Sequence, residues 1–434
     1  MENPIQFLKT PVAVVGMGMS GESVKRLLER FGVKGNKLVC FDDKPGAADY
    51  SDPEKMMSER KPATLVVSPG VPLSKDWIED FRLQGGDITS ELSIALQFLT
   101  KERLICITGS VGKSTTVSLL EAGLQKFSPY SFVGGNLGRP LADYVLELLD
   151  HKRQKAEYVV LELSSYQLEN FAPLRCEVSA ITHLTPNHLE RYADLDEYYR
   201  MKWTLPERTD HLVVLNSHGG DLRAFAKGRK VSAQVLWTDQ YDEELTYLHL
   251  DEAKILGSHN QDNLAVTAKI ARELSWPEAA FQGMKTFAGL PHRLENLGSI
   301  AGVRFVNDSK ATTMESVKVA ALGIYERMDR KSQLVLMLGG KDKNLPWHEL
   351  KELKKIQKLR VVFFGAVAER AKELCELPGD CFPKLGAAVA SLKSIVHVAD
   401  TVLLSPGGTS LDEFKNFEER GKVFGELVKK NFGR

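Results

Sequence analysis

The segment Thr108–Thr115 has the glycine, lysine and serine content of a phosphate-binding loop. It follows the apolar run Arg103–Ile107 and precedes a helical pattern. Glycines let backbone N–H groups turn toward phosphate oxygens, and the helix N-terminus adds its positive dipole end. Lys113 can then reach the β- and γ-phosphates, while the Ser114 hydroxyl suits a magnesium ligand. Ile107 takes the place of the first glycine of the common pattern, so the segment predicts a shortened ATP-binding loop.

A carboxylate suited to the magnesium ion of a nucleotide follows a later apolar run. Glu162 comes directly after Tyr158–Leu161 and before two serines. Ligands of parallel sheets gather beyond the carboxyl ends of the strands, which is where Glu162 is expected to lie. His183 and His188 are two further candidate ligands, although a lone histidine is more often structural. Spacing alone leaves both histidines open.

A second glycine-rich segment, Gly16–Gly21, follows the apolar run Val12–Val15 and opens a helical pattern. Asp42 follows the next apolar run, at the distance expected for an acid that binds ribose. Taken alone, this pattern predicts a dinucleotide site and an NAD-dependent dehydrogenase. A UDP-linked ligand satisfies the same geometry, because the pattern selects a pyrophosphate on a helix N-terminus. The ATP loop farther along the chain weakens the dehydrogenase interpretation.

The elements that must position these residues alternate along the whole chain. Short β-branched runs that are apolar on both faces alternate with amphipathic helical patterns, which predicts an α/β fold of parallel sheets covered by helices. At 434 residues the chain is too long for one ordinary core. We expect a Rossmann-like N-terminal domain over residues 1–94, a P-loop ATPase-type central domain over 95–290, and a Rossmann-like C-terminal domain over 291–434.

The composition excludes several classes of protein. Lysine plus arginine equals aspartate plus glutamate at 57 each, so no global field attracts nucleic acid or an anionic membrane. No apolar run approaches the roughly 20 residues needed to cross a bilayer. The five cysteines have no paired metal-ligand spacing, which favours reduced thiols in a reducing compartment. We expect a monomeric cytoplasmic protein.

Motifs spread over essentially the whole length resemble those of the Mur ligase family, in particular the branch that adds D-glutamate. The last motif is the most telling for that branch. The motifs are Gly16–Gly21, Gly109–Thr115, Gly134–Gly138, Glu162–Leu168, Asn187–Tyr192, Gly257–Asn263, Leu290–Arg293, Asn307–Thr312, Leu338–Lys343 and Ser405–Gly421. The chain departs from the family at Val111, usually Asn, and at Asn187, where an acid often precedes the histidine.

The resemblance implies an ATP-dependent amide ligase that joins D-glutamate to UDP-N-acetylmuramoyl-L-alanine through an acyl phosphate in peptidoglycan synthesis. It implies two magnesium ions, with Lys113, Glu162, His188 and a carbamylated Lys202 as catalytic residues. The implied metal ligands are Ser114, Glu162, His188 and Lys202. A lysine cation cannot bind a metal, whereas its carbamate can, so Lys202 must have a depressed pKa.

The resemblance also assigns residues to the nucleotide and to the two substrates. The implied ATP contacts are Gly109, Ser110, Gly112, Lys113, Ser114, Thr115, Asn260, Asn263, Arg293, Asp308 and Lys310. The implied contacts to the UDP-linked substrate are Met19, Ser20, Asp42, Asn136, Ser164 and Gln167. The implied contacts to D-glutamate are Thr312, Lys343, Ser410 and the backbone at Phe417.

Three alternatives remain beside this interpretation. A sister Mur-type ligase would accept another amino acid or precursor, and an amino-acid panel separates the two. A dehydrogenase built on the first glycine-rich segment would bind NAD tightly. A nucleotide-dependent binding switch would bind nucleotide without forming an amide.

Overall fold

The structure is a computed structural model that describes residues 5–136, 138–170, 174–186, 191–239, 253–255, 258–342 and 345–433. The chain forms two compact units. One unit comprises Met1–Leu250 and Asp262–Met284, and the other comprises Asp251–Gln261 and Lys285–Arg434.

The first unit begins with a four-stranded parallel sheet of order β2-β1-β3-β4. Alternate residues of its strands enter different hydrophobic clusters: Val12 and Val14 pack in one, whereas Ala13 and Val15 pack in the other. Both faces are therefore covered, which is why the strands are apolar throughout. The elements are β1 (Val12–Val15), α1 (Met19–Arg30), β2 (Leu38–Phe41), α2 (Pro53–Arg60), β3 (Thr64–Val67), α3 (Asp76–Leu83), β4 (Asp87–Thr89) and α4 (Glu91–Leu96).

A six-stranded parallel sheet of order β10-β9-β8-β5-β7-β6 follows in the same unit. The central strand β5 leads into the phosphate loop. The elements are β5 (Arg103–Thr108), α5 (Lys113–Leu124), β6 (Phe132–Gly135), α6 (Leu141–Leu149), β7 (Tyr158–Glu162), α7 (Ser165–Glu169), β8 (Cys176–Ile181), α8 (Leu195–Glu207), β9 (Thr209–Leu215), α9 (Leu222–Ala226), β10 (Gln234–Trp237), α10 (Ser258–Glu273) and α11 (Glu278–Thr286).

The two sheets of the first unit share one hydrophobic core. A single cluster of buried side chains contains Val12 and Val14 of β1 together with Leu104 of β5 and Leu161 of β7. Helix α6 also contacts α1 and α4. The two sheets therefore bury apolar surface against common neighbours.

The second unit contains a six-stranded sheet of order β11-β12-β16-β13-β14-β15. Val335 and Met337 pack on one face of β13, and Leu336 and Leu338 pack on the other. The elements are β11 (Glu295–Ile300), β12 (Val303–Asn307), α12 (Met314–Tyr325), β13 (Leu334–Gly339), β14 (Leu359–Phe364), α13 (Ala368–Cys375), β15 (Gly379–Phe382), α14 (Leu385–Ser391), β16 (Thr401–Gly407) and α15 (Phe417–Phe432). Short 3-10 helices cover Gly35–Lys37, Trp347–Lys355 and Leu392–Ser394.

The α/β class predicted from the sequence is confirmed, with one correction. The third sheet is not wholly parallel, because β11 pairs antiparallel with β12 at the sheet edge. Residues of β11 are partly or fully exposed, so the strand lacks the apolar run that marks a buried parallel strand. The domain boundaries predicted near residues 94 and 290 stay predictions. Among the described residues, no helix is both long enough and apolar enough to cross a lipid bilayer.

Candidate active site

The phosphate loop joins the end of β5 to the start of α5, as the sequence predicts. Gly112 forms the helix N-cap with φ +86°, a left-handed conformation that favours glycine. A side chain at Gly112 would also overlap the Asn263 amide. Asn263 lies on α10 and accepts a hydrogen bond from the Thr116 hydroxyl at 3.3 Å. The backbone N–H groups of the first turn of α5 are thus presented at a tightly packed glycine turn.

Hydrogen bonds from the loop after β8 fix the backbone of the phosphate loop. The Ser110 N–H donates to the His183 carbonyl at 2.7 Å. The Ser110 hydroxyl donates to the Thr185 carbonyl at 2.9 Å. The Thr182 hydroxyl donates to the Val111 carbonyl at 2.5 Å. Since the Val111 side chain is 43% exposed, the departure from the family's asparagine leaves this backbone anchoring intact.

Lys113 lies over the loop that precedes it. Its Nζ donates to the Gly109 carbonyl at 2.7 Å and to the Ser110 carbonyl at 3.1 Å. The next residue, Ser114, is buried. A lysine ammonium at the start of a helix suits a phosphate-binding role. The two backbone carbonyls hold it in place without neutralising its charge, so the charge stays available for a phosphate.

Lys202, on α8, is brought to the same carbonyl oxygen. Its Nζ donates to Gly109 O at 3.0 Å and lies 4.7 Å from the centre of the Tyr198 ring. The side chain is 1% exposed. Burial lowers the pKa of Lys202 well below its usual value, and the nearby Lys113 charge lowers it further, while Glu162 acts in the opposite direction. The arrangement therefore favours a neutral amine at Lys202.

Glu162 is the last residue of β7 and is almost fully buried. Its Oε1 accepts a hydrogen bond from the Asn136 amide at 2.7 Å. Its Oε2 is buried and has no hydrogen-bond partner among the described residues. An unpaired buried carboxylate oxygen is costly, so it fits a cation that is bound during function.

A metal site made by protein carboxylates and histidines alone is not found in the described part of the chain. No group of three or more His, Cys, Asp or Glu side chains lies close enough to hold an ion there. The unpaired Glu162 oxygen and the Ser114 hydroxyl are oxygen donors of the kind that magnesium prefers, and their shared magnesium ion stays a prediction. His188, the histidine ligand that the resemblance implies, lies outside the described residues.

Ser164 and Gln167 form a capping box at the N-terminus of α7. The Ser164 hydroxyl accepts the Gln167 N–H at 3.2 Å, and Gln167 Oε1 accepts the Ser164 N–H at 2.9 Å. This gives both residues a structural role at the helix start. Their assignment to the UDP-linked substrate stays a prediction.

The backbone of the first glycine-rich segment donates a hydrogen bond to the Asp42 carboxylate. Asp42 Oδ2 accepts the Met17 N–H at 2.8 Å, and Oδ1 accepts the Lys44 N–H at 2.9 Å. These hydrogen bonds hold the pKa of Asp42 below its usual value. Met19 is 71% exposed at the start of α1, next to the partly exposed Ser20. The acid thus supports the loop backbone, and its contact with the UDP-linked substrate stays a prediction.

Arg191 links the two sheets of the first unit, and sequence reasoning did not single it out. Its guanidinium donates to both carboxylate oxygens of Glu169 on α7. It also donates to the carbonyls of Pro69 at 3.0 Å and Val71 at 3.3 Å, after β3. The ring of Tyr166 lies 4.0 Å from the guanidinium carbon. The spacing in the sequence gave no signal for this bridge, because its partners are far apart along the chain.

Asp308 follows β12 in the second unit and is buried. Its Oδ1 accepts the Leu294 N–H at 3.2 Å, and its Oδ2 accepts the Ser405 hydroxyl at 2.9 Å. Burial raises the pKa of Asp308 to about 7, while these hydrogen bonds and Arg293 act in the opposite direction. Asp308 and Arg293 therefore influence each other electrostatically, as expected for two residues assigned to one nucleotide.

We expect the Asp308→Asn variant to be more stable than the native protein at high pH. The folded pKa of about 7 exceeds the unfolded value of about 3.9. The stability contribution of Asp308 is therefore fully present below pH about 4 and is lost as the pH rises through 7. Asparagine cannot ionise, so the gain should reach about 4 kcal/mol above pH 8. Urea unfolding at pH 5 and pH 8.5 measures it, and an equal difference at both pH values would contradict the prediction.

Three residues predicted to contact D-glutamate, and the predicted ATP contact Lys310, lie in the segments that follow β12 and β16 or at the start of α15. Lys310 Nζ is 4.0 Å from the centre of the Phe417 ring. Ser410 is buried, and Thr312 is partly exposed. The Phe417 N–H belongs to the first turn of α15, where N–H groups have no partner within the helix. Lys343 lies outside the described residues.

Asn260 and Asn263 both lie on α10 and are buried. They are three positions apart, which places them on neighbouring positions of one helix face. Asn263 packs against the phosphate loop, as described above. The predicted contact of Asn260 and Asn263 with adenine stays a prediction.

Comparisons with known proteins identify the family of the chain. A family model described as the Mur ligase middle domain matches residues 107–271, which include the phosphate loop, Glu162 and Lys202. A UDP-N-acetylmuramoylalanine--D-glutamate ligase of Buchnera aphidicola is 30% identical over 96% of this chain and 97% of its own length. Proteins of the same name from Anaeromyxobacter dehalogenans and Nitratidesulfovibrio vulgaris are each 33% identical over 96% of this chain, covering 97% and 96% of their own lengths.

Solved structures show the same fold. UDP-N-acetylmuramate-alanine ligase MurC from Thermotoga maritima matches with a TM-score of 0.57 and 14% identity, covering 97% of this chain and 100% of that one. MurF ligase from Thermotoga maritima, solved in complex with ADP, also has a TM-score of 0.57 and 14% identity, covering 100% and 97%. The branch within the family is identified by the relatives that are at least 30% identical and are matched over at least 96% of their own length. The chain belongs to the Mur ligase family, in the branch of UDP-N-acetylmuramoylalanine--D-glutamate ligases.

Proposed function

We propose that this protein joins D-glutamate to UDP-N-acetylmuramoyl-L-alanine by an amide bond, with conversion of ATP to ADP and phosphate, in peptidoglycan synthesis. The main support is the similarity, over 96% of the chain, to proteins named UDP-N-acetylmuramoylalanine--D-glutamate ligase. The cluster of Lys113, Lys202 and Glu162 around the phosphate loop supports the ATP-dependent step.

The reaction requires activation of the substrate carboxylate, because a carboxylate and an ammonium otherwise form a salt. Transfer of the γ-phosphoryl group to the carboxylate oxygen gives an acyl phosphate and ADP. The amine of D-glutamate, after loss of a proton, attacks the acyl carbon. The tetrahedral intermediate then releases inorganic phosphate and leaves the amide, so the phosphate carries away the carboxylate oxygen that was activated.

Phosphoryl transfer asks a protein mainly for positioning and charge neutralisation. We infer that Lys113 and the first turn of α5 bind the β- and γ-phosphates. Arg293, Asp308 and Lys310 in the second unit are the proposed further contacts to the nucleotide, with Asn260 and Asn263 toward adenine. When bound, magnesium would supply neutralisation of the phosphate charge, and Ser114 and Glu162 would hold it.

We also propose that Lys202 reacts with carbon dioxide to form a carbamate. The neutral amine attacks the carbon of carbon dioxide, one N–H proton is released to solvent, and the product is an anion. Burial and the adjacent Lys113 charge favour the neutral amine that this step requires. The carbamate anion would also be attracted by the nearby positive charge of Lys113. Together with Glu162 it would give two carboxylates suited to a divalent cation.

The substrate contacts are proposed from the family motifs. Met19, Ser20 and Asp42 would surround the uridine diphosphate, and Asn136, Ser164 and Gln167 would contact the muramoyl part. Thr312, Lys343, Ser410 and the Phe417 backbone would receive the two carboxylates of D-glutamate. That the protein is monomeric and cytoplasmic stays a prediction.

The test is an end-point assay with ATP, magnesium, UDP-N-acetylmuramoyl-L-alanine and D-glutamate. We expect stoichiometric ADP, phosphate and an amide product of the mass of the two substrates joined with loss of water. L-Glutamate and other amino acids in parallel test the sister-ligase alternative. Absence of both ADP and product would overturn the proposal, and product with a different amino acid would move the protein to another branch.

A further inference from the structure

Arg420, one turn into α15, is an arginine that is 0% exposed. Among the described residues, no carboxylate lies within ion-pair distance of its guanidinium. Asp412 and Glu413 act on it only at longer range, and burial lowers the pKa of Arg420 to about 10. Burying a charge without a paired counter-charge is expensive, so the surroundings must compensate for it with well-placed hydrogen bonds.

Neutral oxygens provide that compensation. Arg420 Nε donates to the Ser309 hydroxyl at 3.0 Å, and Nη2 donates to the Ser309 carbonyl at 2.8 Å. Nη1 donates to the Gly408 carbonyl at 3.1 Å. The Ser309 hydroxyl in turn donates to the Phe417 carbonyl at 2.8 Å. One guanidinium therefore fixes the loop after β12, the loop after β16 and the first turn of α15 relative to one another.

These are the segments that carry the proposed acceptor site of the second unit. Ser309 stands between Asp308 and Lys310, and Gly408 precedes Ser410 by two residues. A fourth segment approaches from the end of β13, where a side chain at Gly340 would lie 2.8 Å from Arg420 Nη1. The planar fork of an arginine can satisfy several directions at once, which a lysine ammonium on a flexible stem does less well.

The positive charge of Arg420 also contributes to the electrostatics of the proposed acceptor site. Because no described carboxylate is paired with it, the positive charge of Arg420 acts on whatever anion enters beside these loops. The charge is buried, and electrostatic interactions are stronger in the interior than in water. The N-terminus of α15 adds its positive dipole end in the same region.

We propose that Arg420 is a positioning residue for the acceptor amino acid: it fixes the three segments that receive a dicarboxylic amino acid and places a positive charge without an ion-pair partner among the described residues beside them. The inference rests on the proposed function. Arg420 is fully buried under these loops, so it would act through Ser309, Gly408 and the first turn of α15, without touching the substrate itself.

The test compares Arg420→Lys and Ser309→Ala with a matched control, Arg360→Lys. Arg360 lies on β14 of the same sheet, pairs with Asp380 on the neighbouring strand and is 40% exposed. Initial rates of the purified full-length proteins give kcat and the KM values for D-glutamate and for ATP. Thermal unfolding is recorded for each protein.

For Arg420→Lys, which keeps the charge and loses the fork, we expect the KM for D-glutamate to rise at least about tenfold, with the KM for ATP within about twofold. Ser309→Ala, which removes one acceptor and the link to Phe417, should shift the same KM in the same direction by a smaller factor. The control should match the native protein. If Arg420→Lys does not fold, the Ser309→Ala result decides.

Two outcomes would overturn the inference. One is an unchanged KM for D-glutamate in both folded variants. The other is an equal change of both KM values and kcat, which would mean that Arg420 only stabilises the unit. Both outcomes are read against an active native protein, so they differ from failure of the proposed function, in which the native protein itself forms no amide.

Discussion

The Lys202→Met variant is expected to remain folded and to lose kcat by about 10³-fold. Methionine has a similar length and volume, and it removes a buried amine that donates to the Gly109 carbonyl and lies beside the Tyr198 ring. Replacing this amine by an apolar side chain should change the free energy of unfolding little, because the Gly109 carbonyl still accepts a hydrogen bond from Lys113. The proposed carbamate is lost at the same time, and removing one preorganised group of this kind commonly costs 10²- to 10³-fold in kcat.

The measurement pairs steady-state rates with ¹³C NMR in labelled bicarbonate. The native protein should show a carbamate carbon that is absent in Lys202→Met, and its activity should fall when carbon dioxide is removed from the buffer. Lys269→Met is a matched control, because Lys269 is also buried and donates to a backbone carbonyl, that of Trp237, at 3.0 Å. A carbamate signal that persists in Lys202→Met, or full activity of that variant, would contradict the assignment.

The second large effect is expected for Glu162→Gln. Glutamine keeps an oxygen that can accept the Asn136 amide and removes the charge from the buried Oε2 that has no described partner. The protein should be at least as stable as the native form, because an unpaired buried carboxylate has been neutralised. Activity should fall by about 10²-fold or more, because the variant removes a proposed ligand of the magnesium ion that would neutralise the phosphate charge.

The dependence on magnesium distinguishes a ligand from a general structural residue. For Glu162→Gln, we expect the magnesium concentration for half-maximal rate to rise, together with weaker magnesium-dependent binding of ADP in calorimetry. Glu121→Gln is the matched control, a partly buried glutamate on α5 that the proposed site does not use. A fall in rate with an unchanged magnesium requirement would remove Glu162 from the metal site.

The sequence predicted strands that are buried on both faces, because continuous apolar runs such as Val12–Val15 have no other simple explanation. It missed those that lack such runs. Strand β6 ends in two glycines, β10 is partly exposed at a sheet edge, and β11 is polar. These strands are defined by pairing with neighbours that lie far away in the chain, which local pattern does not encode.

The phosphate loop and the strand-end position of Glu162 could be predicted for the same reason, since a local motif fixes them. The convergence of Lys113 and Lys202 on the Gly109 carbonyl could not, because it depends on how α8 packs. Arg191 and Arg420 gave no signal of their own in spacing. What marks them is burial together with hydrogen bonds to several separate segments, and both properties exist only in the folded chain.

The shared core of the first unit has a consequence for how such ligases can be recombined. Val12 of β1 and Leu104 of β5 lie in one apolar cluster, and Arg191 ties the loop after β3 to Glu169. The four-stranded sheet therefore cannot be exchanged independently of the six-stranded sheet. A chimaera that imports it from another relative must import its half of these contacts too, and calorimetry of the native unit should show its two sheets melting as a single transition.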